Sequence, residues 1–433
     1  MWLDGSLGTR SSFVKFREWT GERTVATLGS NAGSIELPFQ GWRRFKEAFA
    51  PELVERALTE TPGQVRHVVD PFGGSGTTAL AAQFLGVRPT TIEVNPFLAD
   101  LIEAKLVSYD LDQAAAAFGS LVEAVWENVR RARPVFPSAP RTFVEPGVDG
   151  RYIFSKSVAR RIVAYKAAIA DVSDPNLQRL FRVVLGSTVV PASNVTVSGK
   201  GRRYRRGWET RPVEPDFVDE LFREGVLSAL YDLRRFSARR CRDFSVIRGD
   251  ARSVVAAIGS CDLAVFSPPY PNSFDYTDVY NVELWALGYL DSRASNSRLR
   301  NATLRSHVQI LRDMSANKAA TPTLARTVDA LKSVQSDLWN RHIPDMVAAY
   351  TADMGTILGG LASNLRPGGR IYMVVGDSRY AGVDVPVATI LAELAPSLDY
   401  CVRDLEPCRS MRVSPQQGGR YELPESLIVL EKK

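Results

Sequence analysis

The four-residue sequence Ser267-Pro268-Pro269-Tyr270 combines groups that could hold and polarise a flat ring bearing an amine. It follows the apolar run 262–266, so we expect a turn at the carboxyl end of a buried strand, where open α/β sheets bind ligands. Two successive prolines cannot continue a strand ladder, since they lack N–H groups and fix φ, and the carbonyls of such a turn point outward unpaired. The serine adds a side-chain oxygen and the tyrosine an aromatic face. This combination suits a nucleobase with an exocyclic amine.

A second chemical signature is the glycine-rich sequence of residues 70–78, which follows an apolar strand predicted at 65–69 and leads into a helix predicted over 77–85. Glycines in such a turn let the backbone approach a ligand closely. The lysine of a Walker phosphate loop is missing, and the acidic Asp70 would repel phosphate but pair with an ammonium group. The turn therefore fits a ligand that carries an ammonium group better than one that carries a phosphate. The turn residues assigned to this site are Asp70, Phe72, Gly73, Gly74, Ser75, Gly76, Thr77 and Thr78.

The next predicted strand, at 89–94, ends in an acidic residue that could bind a sugar. Glu93 lies about 20 residues beyond the start of the turn, where Rossmann-like folds place a carboxylate against ribose hydroxyls. On its own, a carboxylate at a strand end is more often a solvated surface group. The spacing after the glycine-rich turn favours the ribose role for Glu93, and Asn95 is assigned to the same site.

Together, these sequences resemble the S-adenosyl-L-methionine-dependent amino-methyltransferases of DNA, and the Ser-Pro-Pro-Tyr form most resembles the cytosine-N4 branch. Relatives that act on adenine N6 usually carry Asp or Asn at the position of Ser267. The resemblance covers residues 41–108 and 245–290 well and the C-terminal third loosely. It implies a Rossmann-like class I methyltransferase fold, S-adenosyl-L-methionine as cofactor, double-stranded DNA with a flipped target base as substrate, and a cognate restriction endonuclease as partner.

The resemblance also implies roles for individual residues. Ser267 and the Pro268 carbonyl would accept the hydrogens of the target amine, and Tyr270 would stack on the base. Asp250 would accept from the adenine amine of the cofactor, with Ala251 beside it, and an Asp at this point also suits the N-cap of a helix. Direct displacement at a sulfonium requires neither a metal nor a covalent nucleophile.

A basic and aromatic loop lies within residues 198–208, where five cations in seven positions surround one tyrosine. Charge runs are usually solvated faces, but closely spaced cations repel one another unless an anion is near, and DNA phosphates release counterions on binding them. We therefore expect this loop to contact DNA phosphates. The residues assigned to this contact are Lys200, Arg202, Arg203, Tyr204, Arg205 and Arg206.

The remaining pattern divides the chain into regions. Residues 1–40 carry Gly and Ser with little periodicity and are predicted to form an irregular arm. Helical patterns replace the alternation of strands and helices over 109–244, which predicts an inserted, mainly helical lobe that recognises DNA. Residues 41–108 and 245–433 form the predicted methyltransferase core, with a basic insertion at about 291–341 that is a candidate for a second nucleic-acid surface.

The composition restricts the classes of protein to which this chain could belong. A chain of 433 residues, 45% hydrophobic and 24% charged, can bury a large core. Its net charge of +6 permits a nucleic-acid partner without demanding one. No run of 18 apolar residues is present and the N-terminus lacks a signal-like pattern, so a cytoplasmic protein is expected. The four cysteines form no CxxC pair and only three histidines occur, which disfavours a metal site and a disulfide framework.

Three alternatives remain open from the sequence. Adenine-N6 methylation would use the same motifs, methylation of RNA would use the same donor, and a nucleic-acid binder could keep the fold without catalysis. Cytosine-C5 methylation is disfavoured, because it needs a nucleophilic cysteine after the central strand and the Pro-Cys pair of this chain lies at 407–408. The large lobe precedes the strand of Asp250 rather than the catalytic turn, which leaves the element that reads the bases unassigned.

Overall fold

The computed structural model describes residues 7–45, 47–198, 201–210, 212–239, 243–272, 274–315, 321–412 and 422–433. The strands are β1 (His67–Asp70), β2 (Arg88–Glu93), β3 (Val195–Ser198), β4 (Gly201–Tyr204), β5 (Ser245–Arg248), β6 (Cys261–Phe266), β7 (Leu365–Gly376), β8 (Ser378–Tyr380), β9 (Val383–Val385), β10 (Tyr400–Arg412) and β11 (Glu422–Lys432). The helices are α1 (Leu7–Thr20), α2 (Glu52–Glu60), α3 (Thr77–Leu85), α4 (Pro96–Leu106), α5 (Leu111–Arg131), α6 (Lys156–Ala170), α7 (Pro175–Val189), α8 (Asp216–Arg235), α9 (Ala251–Val254), α10 (Tyr276–Val279), α11 (Asn281–Leu287), α12 (Arg293–Asn301), α13 (Pro322–Ser333), α14 (Ile343–Asn364) and α15 (Val387–Leu394).

The main sheet has the strand order β10-β11-β7-β6-β1-β2-β5. Strands β5, β2, β1, β6 and β7 pair in parallel, whereas β11 runs antiparallel to β7 and to β10. A parallel Rossmann-like sheet that ends in an antiparallel hairpin is the class I methyltransferase arrangement. The predicted fold class is therefore confirmed by the topology of the sheet itself.

The strand order places the two sequence motifs at one edge. The chain leaves β1 toward β2 on one side and returns to β6 on the other, so a crevice opens beyond the carboxyl ends of β1 and β6. Asp70 is the last residue of β1, and Ser267 follows β6 directly. Both strands are almost fully buried, as expected for parallel strands covered on two faces.

The N-terminal region differs from its prediction. The sequence predicted an irregular arm over residues 1–40, but α1 is a helix, and residues 1–6 lie outside the described residues. Phe16 and Trp19 of α1 are buried, and the Trp19 ring stacks on Phe84 of α3 with centroids 4.6 Å apart. Aromatic burial three residues apart therefore orders this helix despite its polar composition.

Residues 109–244 contain α5, α6, α7 and α8, which pack on the sheet through α4 and α11. The contact is close: a Cβ at Gly186 of α7 would lie 2.3 Å from the Phe97 ring of α4. Part of the basic loop of this region is a strand: β4, which includes Arg202, Arg203 and Tyr204, pairs with β3 in an antiparallel hairpin. Across the described ranges, the structure contains no helix that is both long and apolar enough to cross a bilayer.

Candidate active site

The glycine-rich turn lies between β1 and α3 and surrounds a buried carboxylate. Asp70 is 3% exposed and accepts a hydrogen bond from the Phe72 backbone N–H at 2.9 Å. Burial raises the pKa of Asp70 to about 7, and the bonds from Phe72 and Thr78 partly oppose this shift. Gly74 and Gly76 have φ values of +51° and +82°, which side chains rarely adopt.

The end of β2 is tied to this turn through Glu93. Its Oε2 accepts from the Gly74 N–H at 2.7 Å and its Oε1 from the Asn95 N–H at 2.8 Å. Burial raises the pKa of Glu93 to about 7, although both backbone donors favour the anion. Asn95 in turn caps α4 by accepting from the N–H of Phe97 at 3.0 Å.

No ion pair to Asp70 or Glu93 is formed among the residues that the structure describes. The buried amine of Lys105 donates instead to the Ser75 carbonyl at 2.7 Å and to Gln40 Oε1 at 3.2 Å. Burial lowers the pKa of Lys105 to about 7. Two buried carboxylates beside a cavity fit a ligand that brings its own ammonium group and hydroxyls.

Asp250 lies at the end of β5 and begins α9. Its side chain accepts from the Arg252 N–H at 2.9 Å, so the N-cap expected from the sequence is present. The Arg252 guanidinium also bonds both carboxylate oxygens and reaches Asp353 of α14 at 3.0 Å. Ala251 is buried directly behind it. The Asp250 carboxylate is thereby held in a fixed direction at the cavity wall.

The turn after β6 belongs to a chain of polar contacts. Ser267 Oγ lies 3.1 Å from Tyr270 Oη, which donates to Glu425 Oε1 at 2.9 Å. Arg409 donates to the same carboxylate, from Nε to Oε2 at 2.6 Å and from Nη2 to Oε1 at 3.2 Å. The Tyr380 hydroxyl donates to the carbonyl of Pro271 at 2.7 Å and holds the far end of the turn. Side chains from β6, β10 and β11 therefore meet at the predicted catalytic turn.

Both motifs face one cavity of about 370 Å³. All four residues of the predicted catalytic turn and most of the predicted cofactor residues line it. Gly76 and Thr78 do not: Gly76 packs close to Ile102, and Thr78 donates to the Val265 carbonyl at 3.0 Å. The predicted residues on the cavity wall are Asp70, Phe72, Gly73, Gly74, Ser75, Thr77, Glu93, Asn95, Asp250, Ala251, Ser267, Pro268, Pro269 and Tyr270.

Several wall residues were missed by the sequence analysis. They come from the N-terminal region (Gly29, Phe45, Phe49), from the segment between α12 and α13 (Leu304, Ser306, His307) and from the terminal hairpin (Arg409, Glu425). Of these residues, Glu425 could most readily have been found from the sequence. It shares the buried face of β11 with Leu423 and Leu427, two residues away on either side, and a carboxylate at such a core position indicates a functional contact.

The basic insertion at 291–341 directs three of its arginines inward. Arg300 forms an ion pair with Asp275 at the start of α10, and Arg305 bonds Asp353 at 2.7 Å. Arg312 donates to backbone carbonyls of this insertion, including that of Leu304 at 2.7 Å. These contacts shape the cavity wall, so these three arginines are not a free nucleic-acid surface as the sequence suggested.

The arginines in and directly after β4 lie in two different environments, one exposed and one hydrogen-bonded within the protein. Arg202, Arg203 and Arg206 are exposed, whereas Arg205 donates to the carbonyls of Val190, Pro191 and Val195 at 2.9 to 3.0 Å. Tyr204 is half-buried, with its ring 5.0 Å from that of Trp208. The predicted contact residue Lys200 lies outside the described residues.

The hairpin of β3 and β4 packs on α10, which follows the predicted catalytic turn in the chain. Strand β4 contacts α10, which begins six residues after Tyr270, and a Cβ at Gly201 would lie 3.2 Å from Asp278 of that helix. The hairpin that carries the exposed arginines is therefore packed against the segment that follows Tyr270.

No protein-family model matches the chain. The Type II methyltransferase M.BsoBI of Geobacillus stearothermophilus is 23% identical over 450 residues, which cover 90% of this chain and 85% of that protein. The Type II methyltransferase M.AvaI of a Nostoc strain is 22% identical over 453 residues, covering 91% and 86%. The chain is thus similar to Type II methyltransferases over nearly its whole length.

Solved structures align with the chain at low TM-scores. TrmN from Thermus thermophilus aligns with a TM-score of 0.29 and 11% identity, over 88% of this chain and 49% of TrmN. The chain therefore spans about half the length of that structure. The glycopeptide N-methyltransferase MtfA in complex with S-adenosyl-L-methionine aligns with a TM-score of 0.28 and 8% identity, over 90% of both chains.

Proposed function

We propose that this protein is an S-adenosyl-L-methionine-dependent DNA methyltransferase that modifies the N4 exocyclic amine of cytosine. The observation that carries the proposal is that the Ser267 turn and the glycine-rich turn face one cavity at the reversal point of a class I sheet. Similarity to Type II methyltransferases over 90% of the chain supports DNA as the substrate. It also supports a restriction-modification setting, in which a cognate endonuclease would cut unmodified sites.

Three carboxylates would hold the cofactor. Asp70 would pair with the ammonium group, Glu93 would accept from the ribose hydroxyls, and Asp250 would accept from the adenine amine. The fit rests on the burial of Asp70 and Glu93 and on the absence of an ion pair to either among the described residues. When bound, S-adenosyl-L-methionine supplies a methyl group activated by its sulfonium.

The catalytic turn would prepare the target amine. Its lone pair is delocalised into the base, so the nitrogen attacks poorly until acceptors hold its hydrogens and favour a pyramidal geometry. Ser267 Oγ and the Pro268 carbonyl are these acceptors, and they stabilise charge that develops chiefly in the transition state. The Tyr270 ring offers the face on which the base stacks.

A base inside a duplex must leave the helix to reach this cavity. Flipping costs a few kcal/mol, which stacking and phosphate contacts offset. The exposed Arg202, Arg203 and Arg206 lie on the hairpin beside α10, where they can bind the backbone next to the flipped nucleotide. We assign the phosphate contact of the helical lobe to this hairpin.

The side chains of Ser267 and Cys408 favour cytosine N4 over adenine N6 and cytosine C5 as the target. Ser267 is a neutral acceptor at the position where adenine-N6 enzymes resembling this protein usually carry Asp or Asn. Cytosine C5 requires a thiolate, but Cys408 lies within β10 and burial raises the pKa of its thiol.

Transfer of a labelled methyl group tests the activity. The full-length protein is incubated with tritiated S-adenosyl-L-methionine and either unmethylated bacterial genomic DNA or total RNA from the same cells. The proposal predicts label in DNA and none in RNA. Label in RNA alone would support an RNA methyltransferase, and no transfer despite DNA binding would support a non-catalytic binder.

A further inference from the structure

The hydroxyl group of Ser267 could in principle donate or accept a hydrogen bond. Only an acceptor helps the proposed reaction, because the target amine already carries hydrogens and has to lose electron delocalisation into the ring. An Asp at this position would be an acceptor by charge, whereas a Ser needs its own hydrogen directed away from the substrate. The contacts around Ser267 determine that direction.

The direction follows from the carboxylate of Glu425. A carboxylate accepts only, and Tyr270 has a single hydroxyl hydrogen, which it donates to Glu425 Oε1 at 2.9 Å. The contact of 3.1 Å between Ser267 Oγ and Tyr270 Oη must therefore use the serine hydrogen. The lone pairs of Ser267 Oγ then remain available to the cavity that this residue lines.

The Glu425 carboxylate is buried and held in place by its neighbours. It is 2% exposed, and the Arg409 guanidinium donates to both of its oxygens. Arg409 is itself held by the N-terminal region, where its Nη1 donates to Ser30 Oγ at 3.1 Å. The backbone of this region packs directly on the pair, since a Cβ at Gly29 would lie 2.9 Å from Glu425 Oε2.

We propose that Glu425, held by Arg409, is a positioning residue that makes Ser267 a hydrogen-bond acceptor for the target amine through Tyr270. This inference rests on the proposed function and assigns it a residue 155 positions from Tyr270 in the sequence. It explains how a neutral serine replaces the Asp or Asn of related enzymes. It also gives a function to the contact between the N-terminal region and the terminal hairpin.

The substitution Glu425→Gln reverses the direction of the hydrogen bond between Tyr270 and residue 425, with little change in the shape of the side chain. Arg409 only donates, and its shorter bond runs from Nε to Oε2 at 2.6 Å against 3.2 Å from Nη2 to Oε1, so the amide oxygen takes the Oε2 position and the NH₂ group faces Tyr270. The Tyr270 hydrogen then points at Ser267 and occupies a lone pair needed by the amine. We expect the single-turnover rate of methyl transfer to fall about tenfold, equivalent to one ordinary hydrogen bond. Affinities for S-adenosyl-L-methionine and for DNA should stay within about twofold, because neither binding step depends on the direction of the hydrogen bond between Ser267 and Tyr270.

Two further variants distinguish an effect on hydrogen-bond direction from a general effect on the structure of β11. Tyr270→Phe keeps the stacking ring but removes the hydroxyl that links Glu425 to Ser267, so adding Glu425→Gln to it should slow transfer no further. Glu422→Gln, an exposed position on the same strand, is the matched control and should behave as the parent. All variants are assayed as full-length proteins with tritiated donor and unmethylated genomic DNA.

The outcomes are distinguishable from failure of the proposed function. If the parent protein methylates DNA and Glu425→Gln is as fast as the parent, the positioning role is wrong. The role is also wrong if Glu425→Gln slows the parent and the Tyr270→Phe variant by the same factor, because the effect then bypasses Tyr270. If the parent transfers no methyl group to DNA, the proposed function itself is wrong and the inference falls with it.

Discussion

The Glu93 carboxylate accepts a hydrogen bond from the backbone N–H of Gly74 at 2.7 Å, which joins the end of β2 to the turn after β1 at the cavity wall. One residue thereby shapes the glycine-rich turn and faces the space proposed for the ribose. The bond holds Gly74 at a φ of +51°, in the left-handed region. The shape of the turn therefore depends on a long-range contact as well as on its glycines.

The first prediction concerns this turn. Gly74→Val should abolish S-adenosyl-L-methionine binding, because a branched side chain in the left-handed region is strained by about 1–2 kcal/mol and would displace the Phe45 ring. A Cβ at Gly74 would already lie 3.0 Å from Phe45 Cζ. Titration calorimetry measures the affinity, and Gly119→Val, at an exposed helical glycine with open space around it, is the control. Unchanged affinity in a folded Gly74→Val variant would show that the turn is only a structural connection.

The second prediction is a pH dependence of cofactor binding. Burial raises the pKa of Asp70 to about 7, so the group is largely protonated at pH 6 and ionised at pH 8. An ammonium group pairs only with the carboxylate, so affinity for S-adenosyl-L-methionine should rise from pH 6 to pH 8 and protons should be released on binding. Glu93 has a pKa of about 7 and contributes in the same range.

Calorimetry in buffers of different ionisation enthalpy counts the protons released. Asp70→Asn should weaken binding at pH 8 and remove the share of proton release that belongs to Asp70, which leaves that of Glu93. An affinity independent of pH between 6 and 8 would mean that Asp70 does not pair with the ammonium group.

The third prediction separates two kinds of arginine in the hairpin. Replacing the exposed Arg202, Arg203 and Arg206 with Ala should weaken DNA binding and flatten its salt dependence, by about 0.9 in logarithmic slope for each lost phosphate contact. Cofactor binding should survive. Arg205→Ala should instead lower the stability of the hairpin, because it removes the guanidinium bonds to the carbonyls of Val190, Pro191 and Val195. A salt titration that shows the same slope for parent and triple variant would make the hairpin an ordinary solvated surface.

The sequence predicts the parts of the fold and of the site that depend on local chemistry. The apolar runs that become β1, β2 and β6 end in turns of glycine or proline, and these residue types limit the backbone strongly enough to place Asp70 and Ser267 at strand ends. Because the carboxyl ends of parallel strands lie at the same edge of a sheet, the two turns are then expected to lie together, whichever side chains surround them.

The parts that the sequence does not predict depend on contacts between distant segments. The helix α1 is ordered by stacking of Trp19 on Phe84, and the arginines of the basic insertion find acidic partners such as Asp275 and Asp353. Glu425 reaches Tyr270 across 155 positions because β11 and β6 lie on either side of β7. Composition cannot distinguish such inward charges from solvated ones.

The fourth prediction is the effect of removing the acceptor. Ser267→Ala should fold and bind both cofactor and DNA while losing most of its turnover. The removed oxygen matters chiefly as the amine becomes pyramidal, an effect of about 3 kcal/mol, or roughly a hundredfold in rate. Single-turnover assays with tritiated donor measure the rate, and binding assays on the same variant provide the control. Turnover equal to the parent would exclude Ser267 from the reaction.

The identity of the methylated nucleoside tests the central claim most directly. Unmethylated DNA is incubated with the protein and S-adenosyl-L-methionine, digested to nucleosides and resolved by mass spectrometry against standards. The account predicts N4-methyldeoxycytidine, formed by the parent and nearly absent with Ser267→Ala. N6-methyldeoxyadenosine as the sole product would contradict the cytosine assignment, and 5-methyldeoxycytidine would contradict the proposed mechanism as well.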